Sequence, residues 1–275
     1  MTLHETALYA LIGNPVGHSL SPLMHNRAYE ELKLPARYVA FCVSDLEGAL
    51  RGIRALHISG VSVTIPFKVE VMQYLDEIDE DARKIGAVNT IVNEQGKLTG
   101  RNTDWLGIVR TLQEVMEIKG RSVVVLGAGG TAQAAVYAIT AAGGCPVLVN
   151  RTEATGRSLS LAWGIPFYPL AEIGRLKADC LINTTPVGMY PRIDVSPVPA
   201  GVLKNFRYVM DVIYHPLQTR LLQEAQQAGC EVLSGLTMFV HQGAEQIKLW
   251  TGQEPPRGLM REVVKKHLNQ ELEWR

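Results

Sequence analysis

The chain has 275 residues, 47% hydrophobic and 20% charged, with 27 basic residues balanced by 27 acidic ones. That is the make-up of an ordinary globular protein of one large domain or two smaller ones. The balanced charge offers neither the basic stripe that nucleic acid requires nor an acidic tail, so no nucleic-acid partner is expected. The four cysteines, Cys42, Cys145, Cys180 and Cys230, form no C-x-x-C pair and read as small core residues of a reducing compartment. The first apolar run, Ala7 to Ile12, is far shorter than a membrane span and has no basic leader. A cytoplasmic protein with no targeting segment, no membrane contact and no metal is therefore expected.

Leu8 to Ile12 reads as a first strand, stopped by Gly13, Asn14 and Pro15. Ser21 before Pro22 has the form of a helix start, a capping hydroxyl followed by proline at the first helical position. Capping leaves Ser19 unexplained, and two hydroxyls beyond the carboxyl end of a strand suit a polar ligand. Arg37 to Cys42 reads as a second strand, Leu46 to Leu56 as a helix, and Gly60 to Ile65 as a third strand ended by Pro66. This alternation predicts a parallel sheet with crossovers, an α/β unit over about the first hundred residues. Phe67 and Lys68 then begin a helix to about Tyr74. A cation in a first turn opposes the helix dipole, which suits a proton-transferring lysine; the alternative is a solvated surface lysine. The acidic run Asp76 to Asp81, which includes Glu80, reads as an exposed helix start. Gly86 to Val92 reads as a strand with Asn89 inside it, a residue disfavoured in strands and so expected to answer a local hydrogen-bonding need. Gln95 and Gly96 turn the chain, and Lys97 to Thr99 pairs back. Asp104 opens a helix to about Met116, with Thr103 or Asp104 as its cap, or with Asp104 as a functional carboxylate.

Val123 to Leu126 is an apolar, β-branched strand of the kind buried on both faces. It breaks at Gly127. Gly127, Gly129 and Ala132, together with Ala128, Gly130 and Thr131, fit the G-x-G-x-x-G/A turn between a strand and a helix. Gly127 makes the tight turn, Gly129 lets backbone approach a pyrophosphate, and the helix N-terminus offers free N–H groups to the phosphates. A second strand, Pro146 to Val149, supports dinucleotide binding. It ends in Asn150, Arg151 and Thr152, where an NAD site usually has an acid; an arginine there receives a 2′-phosphate, so NADP is favoured. The alternative is an ordinary helix start capped by Thr152. Cys180 to Asn183 is the next strand, and the Thr184 to Met189 loop lies where the nicotinamide half would run. Further strands follow at Tyr208 to Ile213, before Tyr214, and at Glu231 to Leu233; helices follow at Leu217 to Gln227, from Gly235, and at Gly258 to Leu268. Phe239, Gly243, Ile247 and Trp250 recur at helical spacing as a buried seam. Gln242 lies beside it and needs a partner if buried.

These pieces together resemble the shikimate dehydrogenase family. The resemblance rests on Ser19-Leu20-Ser21-Pro22, Val63-Thr64-Ile65-Pro66-Phe67-Lys68, Gly86-Ala87-Val88-Asn89-Thr90, Asn102-Thr103-Asp104, Gly127-Ala128-Gly129-Gly130, Asn150-Arg151-Thr152 and Gln242-Gly243-Ala244, in matching order over nearly the whole chain. It implies a two-domain α/β protein. Residues 1–106 would form a substrate-binding α/β domain and 107–236 a Rossmann-type NADP-binding domain, with the helices of 237–275 packing back on the substrate domain. The implied reaction is the reversible, NADPH-dependent reduction of 3-dehydroshikimate to shikimate, a step towards chorismate and the aromatic amino acids. Lys68 and Asp104 match the catalytic pair. Ser19, Ser21, Thr64, Asn89 and Gln242 match positions that hold the substrate's carboxylate and hydroxyls, and Tyr214 a further substrate contact. The loop Gly127 to Ala132 and Asn150, Arg151 and Thr152 match cofactor contacts, and Glu80, Val212 and Gly235 match further cofactor or cleft positions. Family members usually carry a lysine or arginine three residues after the asparagine-arginine-threonine triplet; this chain has Thr155. Two other readings compete: a quinate/shikimate dehydrogenase paralogue using NAD or NADP, which Arg151 opposes where NAD is concerned, and a non-catalytic NADP(H)-binding regulator, which the presence of both Lys68 and Asp104 opposes. The expected partner is a small-molecule substrate; monomer and homodimer both fit.

Overall fold

A computed structural model describes residues 6–273, with side chains described through residue 270. The outermost residues of the expected domain limits, 1–5 and 274–275, lie outside the described residues. The chain opens with β1 (Ala7–Gly13), α1 (Ser21–Glu31), β2 (Ala36–Cys42), α2 (Leu46–Ala55) and β3 (Gly60–Val63). Next come β4 (Glu77–Ile78), α3 (Glu80–Ile85), β5 (Thr90–Glu94) and β6 (Lys97–Arg101). A second series follows: α4 (Asp104–Gln113), β7 (Ser122–Leu126), α5 (Gly130–Ala141), β8 (Cys145–Asn150), α6 (Glu153–Trp163), β9 (Phe167–Pro169), β10 (Ala178–Asn183), β11 (Phe206–Asp211), α7 (Arg220–Gln227) and β12 (Glu231–Leu233). Two long helices, α8 (Gly235–Thr251) and α9 (Arg257–Glu273), close the chain. No helix among the described residues is long and apolar enough to cross a membrane.

The chain divides into two compact units: Met1–Thr103 with Val240–Arg275, and Asp104–Phe239. The backbone passes between them twice, at the start of α4 and inside α8. The first unit holds a six-stranded sheet in the order β2-β1-β3-β5-β6-β4. The β2-β1-β3 half is parallel, as the strand-helix alternation predicts. Beyond it β5 runs antiparallel to β3, and β6 antiparallel to β5. Gln95 and Gly96 set the second of these reversals, between β5 and β6. Both adopt positive φ (52° and 91°), which lets a two-residue turn fold the chain straight back instead of sending it through a crossover. One face of this sheet packs Ile12, Val61, Val63 and Ile91 against Leu46, Leu50 and Ile53 of α2. The segment after Pro66 is not the expected α-helix: it is a turn followed by a 3₁₀ helix, Glu70–Tyr74. Val69 and Val71 are poor helix formers, and one 3₁₀ turn is enough to bury Val71.

The second unit is an entirely parallel sheet in the order β12-β11-β10-β7-β8-β9. This is the doubly wound dinucleotide-binding order, in which the strand order reverses between β7 and β10 and ligands bind beyond the carboxyl ends at that switch point. Val123, Val124, Val125 and Leu126 are all buried. Ala132, Ala134, Ala135 and Ala138 of α5 are all fully buried, the close helix-on-sheet packing that their small size permits. The edge strand β9 and the 3₁₀ turns Leu170–Arg175 and Ala200–Asn205 have no counterpart in the sequence reading; each is too short to leave a periodic pattern.

Candidate functional site

Register brings the motifs of the first unit to one edge of its sheet. Ile12 pairs with Val63, so the loops after β1 and β3 leave side by side. Asn14 N donates to Ile65 O (2.9 Å), and Thr64 N to Ile12 O (2.9 Å). A Cβ at Gly13 would stand 2.4 Å from the Thr64 methyl, so glycine is what lets these loops touch. Because β5 is antiparallel to β3, its first residue, Thr90, lies opposite Ser62, and Thr90 in turn faces Arg101 at the end of β6. Ser19, Ser21, Thr64, Lys68, Asn89 and the Asn102–Thr103 segment therefore all leave the same edge.

Asn89 organises that edge. It lies just before β5, not inside a strand as expected, although its main chain still bridges two strands: Val63 N donates to Asn89 O (2.8 Å), and Asn89 N to Arg101 O (3.1 Å). Its buried amide meets the local hydrogen-bonding need. Nδ2 donates to Thr103 Oγ1 (3.0 Å), and Oδ1 accepts from Thr103 N (2.7 Å) and Thr90 Oγ1 (2.7 Å). Behind it, Gln246 of α8 donates to Thr90 Oγ1 (3.0 Å) and accepts from Ser62 Oγ (2.9 Å), which itself accepts from the Tyr38 hydroxyl (2.6 Å). Lys68 lies in the turn before the 3₁₀ helix, so the helix-dipole reason for singling it out falls away. Its carbonyl accepts from Val88 N (2.7 Å), which places it beside Asn89 in the fold.

Capping assignments change for the serines. The helix α1 starts at Ser21, and the cap position belongs to Leu20, without a side-chain capping bond. Ser21 is thus the first helical residue, and its hydroxyl accepts from Ser19 Oγ (3.2 Å) instead of from the helix. Gln242 sits next to Gly243, whose missing Cβ would lie 2.4 Å from Met24 Cε and 3.3 Å from His25 Cε1; this close approach sets Gln242 beside α1. In the second unit, α4 begins at Asp104 itself, a residue only 4% exposed. Thr103 occupies the preceding position, so Asp104 is the first helical residue and not the residue before the helix.

The glycine loop has the geometry its pattern demands. Gly127 has φ +114°, and a Cβ there would stand 2.6 Å from Thr184 Oγ1. Gly129 caps α5 with extended backbone and no side-chain bond, and a Cβ there would meet nothing within 4 Å. The first turn of a twelve-residue helix thus faces open space at the switch point, a cradle for a diphosphate. Ala128 and Thr131 are half-buried within this turn. At the end of β8, Asn150 Nδ2 donates to Thr152 O (2.9 Å) and Thr155 Oγ1 (2.9 Å), which fixes the loop that presents Arg151. Thr152 takes the cap position of α6 but makes no capping bond. Arg151 is exposed and has no hydrogen-bond or ion-pair partner among the described residues. Arg157 is engaged elsewhere: it donates to Glu153 Oε2 (2.9 Å) and lies 5.3 Å above the Phe167 ring. These features fit a dinucleotide with a 2′-phosphate.

Val212 and Gly235 come together in the second unit. Val212 N donates to Asn183 O (3.1 Å), and a Cβ at Gly235 would stand 2.4 Å from the carbonyl oxygens of both Val212 and Ile213. Tyr214 stacks on Phe239 with centroids 4.1 Å apart. Glu80 belongs to the first unit, where it starts α3, exposed and ion-paired with Lys84 (2.6 Å). Sequence reasoning missed a buried cluster beside Val212. Asp211 Oδ1 accepts from Asn183 Nδ2 (3.0 Å) and Ile213 N (3.1 Å), and Oδ2 from Thr219 Oγ1 (2.7 Å). Burial pushes its carboxyl up to about 7, against the lowering effect of those bonds. An acid closing an apolar strand was the available signal.

Comparison with known proteins agrees with this geometry. Residues 11–91 match the family model of the shikimate dehydrogenase substrate binding domain, and 235–265 that of the shikimate 5′-dehydrogenase C-terminal domain. The NADP(+) shikimate dehydrogenase of Pyrococcus abyssi is 46% identical over 258 residues, spanning 93% of this chain and 96% of its own. A shikimate dehydrogenase crystallised with NADP+ superposes with a TM-score of 0.90 at 40% identity, over 96% of each chain. The Thermus thermophilus enzyme, solved with NADP(H) and shikimate, gives 0.87 at 36% identity, over 94% of this chain and 99% of its own. The chain belongs to the shikimate dehydrogenase family.

Proposed function

We propose that this protein catalyses the reversible, NADPH-dependent reduction of 3-dehydroshikimate to shikimate, the step of the shikimate pathway that leads towards chorismate. The observation that carries the reading is the gathering of Ser19, Ser21, Thr64, Lys68 and Asn89 at one sheet edge, in a family member whose other unit has a complete glycine loop. NADPH, when bound, supplies the hydride. Negative charge then develops on the ketone oxygen; Lys68 stabilises it and delivers the proton. Asp104 is the second catalytic group and holds a substrate hydroxyl. Ser19, Ser21, Thr64, Asn89 and Gln242 take the carboxylate and remaining hydroxyls, with Tyr214 as a further contact. A site that bonds each hydroxyl rejects analogues lacking one by about 10⁴ or more. The loop from Gly127 to Ala132 binds the diphosphate, and Asn150, Arg151 and Thr152 the adenosine phosphate. Val212 and Gly235 shape the nicotinamide side, and Glu80 is a further cofactor contact. The functional limits that go with this reading are 1–106 for substrate, 107–236 for cofactor and 237–275 for the returning helices.

The test is oxidation of NADPH by the purified chain in the presence of 3-dehydroshikimate, with quinate and shikimate compared in the reverse direction. Turnover with 3-dehydroshikimate is expected. Its absence in a folded protein that binds NADPH would replace the enzyme with a binding protein.

A further inference from the structure

We propose that Asp211 is a positioning residue, the centre of a hydrogen-bonded clamp that fixes the two loops on which the nicotinamide ring rests. The inference depends on the dinucleotide reading of the second unit given above. Its starting point is topology. Asn150 and Arg151, at the end of β8, take the adenosine half on one side of the switch point. The nicotinamide half therefore extends over the carboxyl ends of β10 and β11, on the other side. Those ends are Asn183 and Asp211, which stand opposite one another in register and are both fully buried.

The two side chains are joined, and each holds a different loop. Asp211 Oδ1 accepts from Asn183 Nδ2 and from Ile213 N, which bends the β11 loop back at Val212. Oδ2 accepts from Thr219 Oγ1, and so ties in the start of α7. Asn183 Oδ1 in turn accepts from Thr185 N (3.0 Å) and Thr185 Oγ1 (2.7 Å), and Thr185 Oγ1 accepts from Val187 N (3.3 Å). One buried pair thus sets the path of residues 184–187 and of 212–213. Gly235 closes the far side, because its missing Cβ leaves the room that the Val212 and Ile213 carbonyls occupy. None of these bonds is needed to hold the sheet, whose strands pair through their own backbones. A buried polar group in an otherwise apolar layer persists where a unique geometry is required.

An acceptor pattern is what the clamp needs. Asparagine at 211 preserves it: its Oδ1 accepts from Asn183 and Ile213, and its amide donates to Thr219, whose hydroxyl can turn to accept. Alanine removes it. The experiment compares Asp211→Ala with Asp211→Asn in the full chain. Amide exchange of the ligand-free protein is the first readout. NADPH affinity and the fluorescence anisotropy of the bound dihydronicotinamide are the second, and kcat the third. For Asp211→Ala, exchange at Thr185, Val187 and Ile213 should rise at least tenfold and the anisotropy fall. NADPH affinity should stay within about threefold, because the phosphates hold it, and kcat should drop tenfold or more; Asp211→Asn should keep all four near the wild-type values. Should Asp211→Ala fail to fold, Thr185→Val against Thr185→Ser asks the same of the 184–187 loop alone. Unchanged loop exchange and anisotropy in the alanine or valine variant would overturn the clamp, as would equal damage from the conservative partner. The exchange and anisotropy readouts involve no substrate, so a wild type inactive on 3-dehydroshikimate would sink the proposed reaction and leave the clamp to be judged separately.

Discussion

Thr155 stands where the family resemblance expects a second cation, and its hydroxyl is taken up within the chain: it accepts from Asn150 and donates to Thr152 O (3.0 Å). Arg157 does not replace that cation. Two residues of helix turn it by about 200° from Thr155, and it is held by Glu153 and Phe167. Arg151 is then the cation left to read a 2′-phosphate. The expected result is a preference for NADPH over NADH that falls about 10- to 100-fold in Arg151→Ala, the range of one charge-assisted hydrogen bond, and rises in Thr155→Arg. Ratios of kcat/KM for the two cofactors decide it, and a wild type that favours NADH would refute the assignment. Lys68 is argued on chemistry alone, since the turn around it has no helix dipole to offer. Lys68→Ala should lower kcat by at least about a hundredfold while NADPH affinity stays level. A near-normal kcat would remove it from the mechanism.

At the scale of elements, the glycine loop separates two uses of one residue type. Gly127 is required by its own backbone, at φ +114° with Thr184 in the way. Gly127→Ala should therefore lower apo stability by about 1–3 kcal/mol, seen as a reduced Tm before any cofactor is added. Gly129 has extended backbone and open space above it. Gly129→Ala should cost about 1 kcal/mol or less of apo stability yet weaken NADPH binding at least tenfold, because the new methyl occupies the approach to the helix end. Equal Tm losses in the two variants would show that the open space is not a binding cradle. This loop was legible in the sequence because its demands are local: a tight turn, a close approach and a helix start each name a residue type. The parallel strands were legible for the same reason, through continuous apolar runs. What escaped the sequence was set by partners distant in the chain. Asn89 reads as a strand interior until Val63, Arg101 and Thr103 are seen to use up its hydrogen bonds. Ser21 reads as a cap because nothing local shows that the helix has already begun. Asp211 reads as the interior of a strand from Tyr208 to Ile213 until it is seen to end β11, with Asn183, 28 residues earlier, closing on it.

For the whole molecule, two buried titratable groups, one in each unit, respond to acid with opposite sign. His25, in the first unit, is fully buried, with Nδ1 2.9 Å from Ser21 O and its ring stacked 4.2 Å from that of Tyr38. Burial pushes it down to about 4, against the raising effect of the Ser21 carbonyl. Its unfolded value is about 6.5, so the unfolded chain binds the extra proton between those values. The stability His25 contributes is present above pH 6.5 and lost as the pH falls through about 4. Asp211, in the second unit, is raised to about 7 from an ordinary carboxyl value. Its contribution is fully present below about pH 4 and lost as the pH rises through about 7, so acid strengthens it. At about 1.4 kcal/mol per pKa unit, each term amounts to a few kcal/mol, enough to matter against the marginal stability of a domain. Acidification from pH 7.5 to 4.5 should therefore pull the stabilities of the two units apart. The measurement is unit-resolved hydrogen exchange, corrected for intrinsic rates, with β1 and β3 reporting one unit and β7 and β10 the other. Exposed pairs such as Arg54–Asp76 and Arg121–Asp179 add their own slopes, and variants subtract them. His25→Gln should flatten the decline of the first unit, and Asp211→Asn should flatten the gain of the second. Two units that weaken in parallel, with slopes unmoved by either substitution, would show that neither burial governs the acid response.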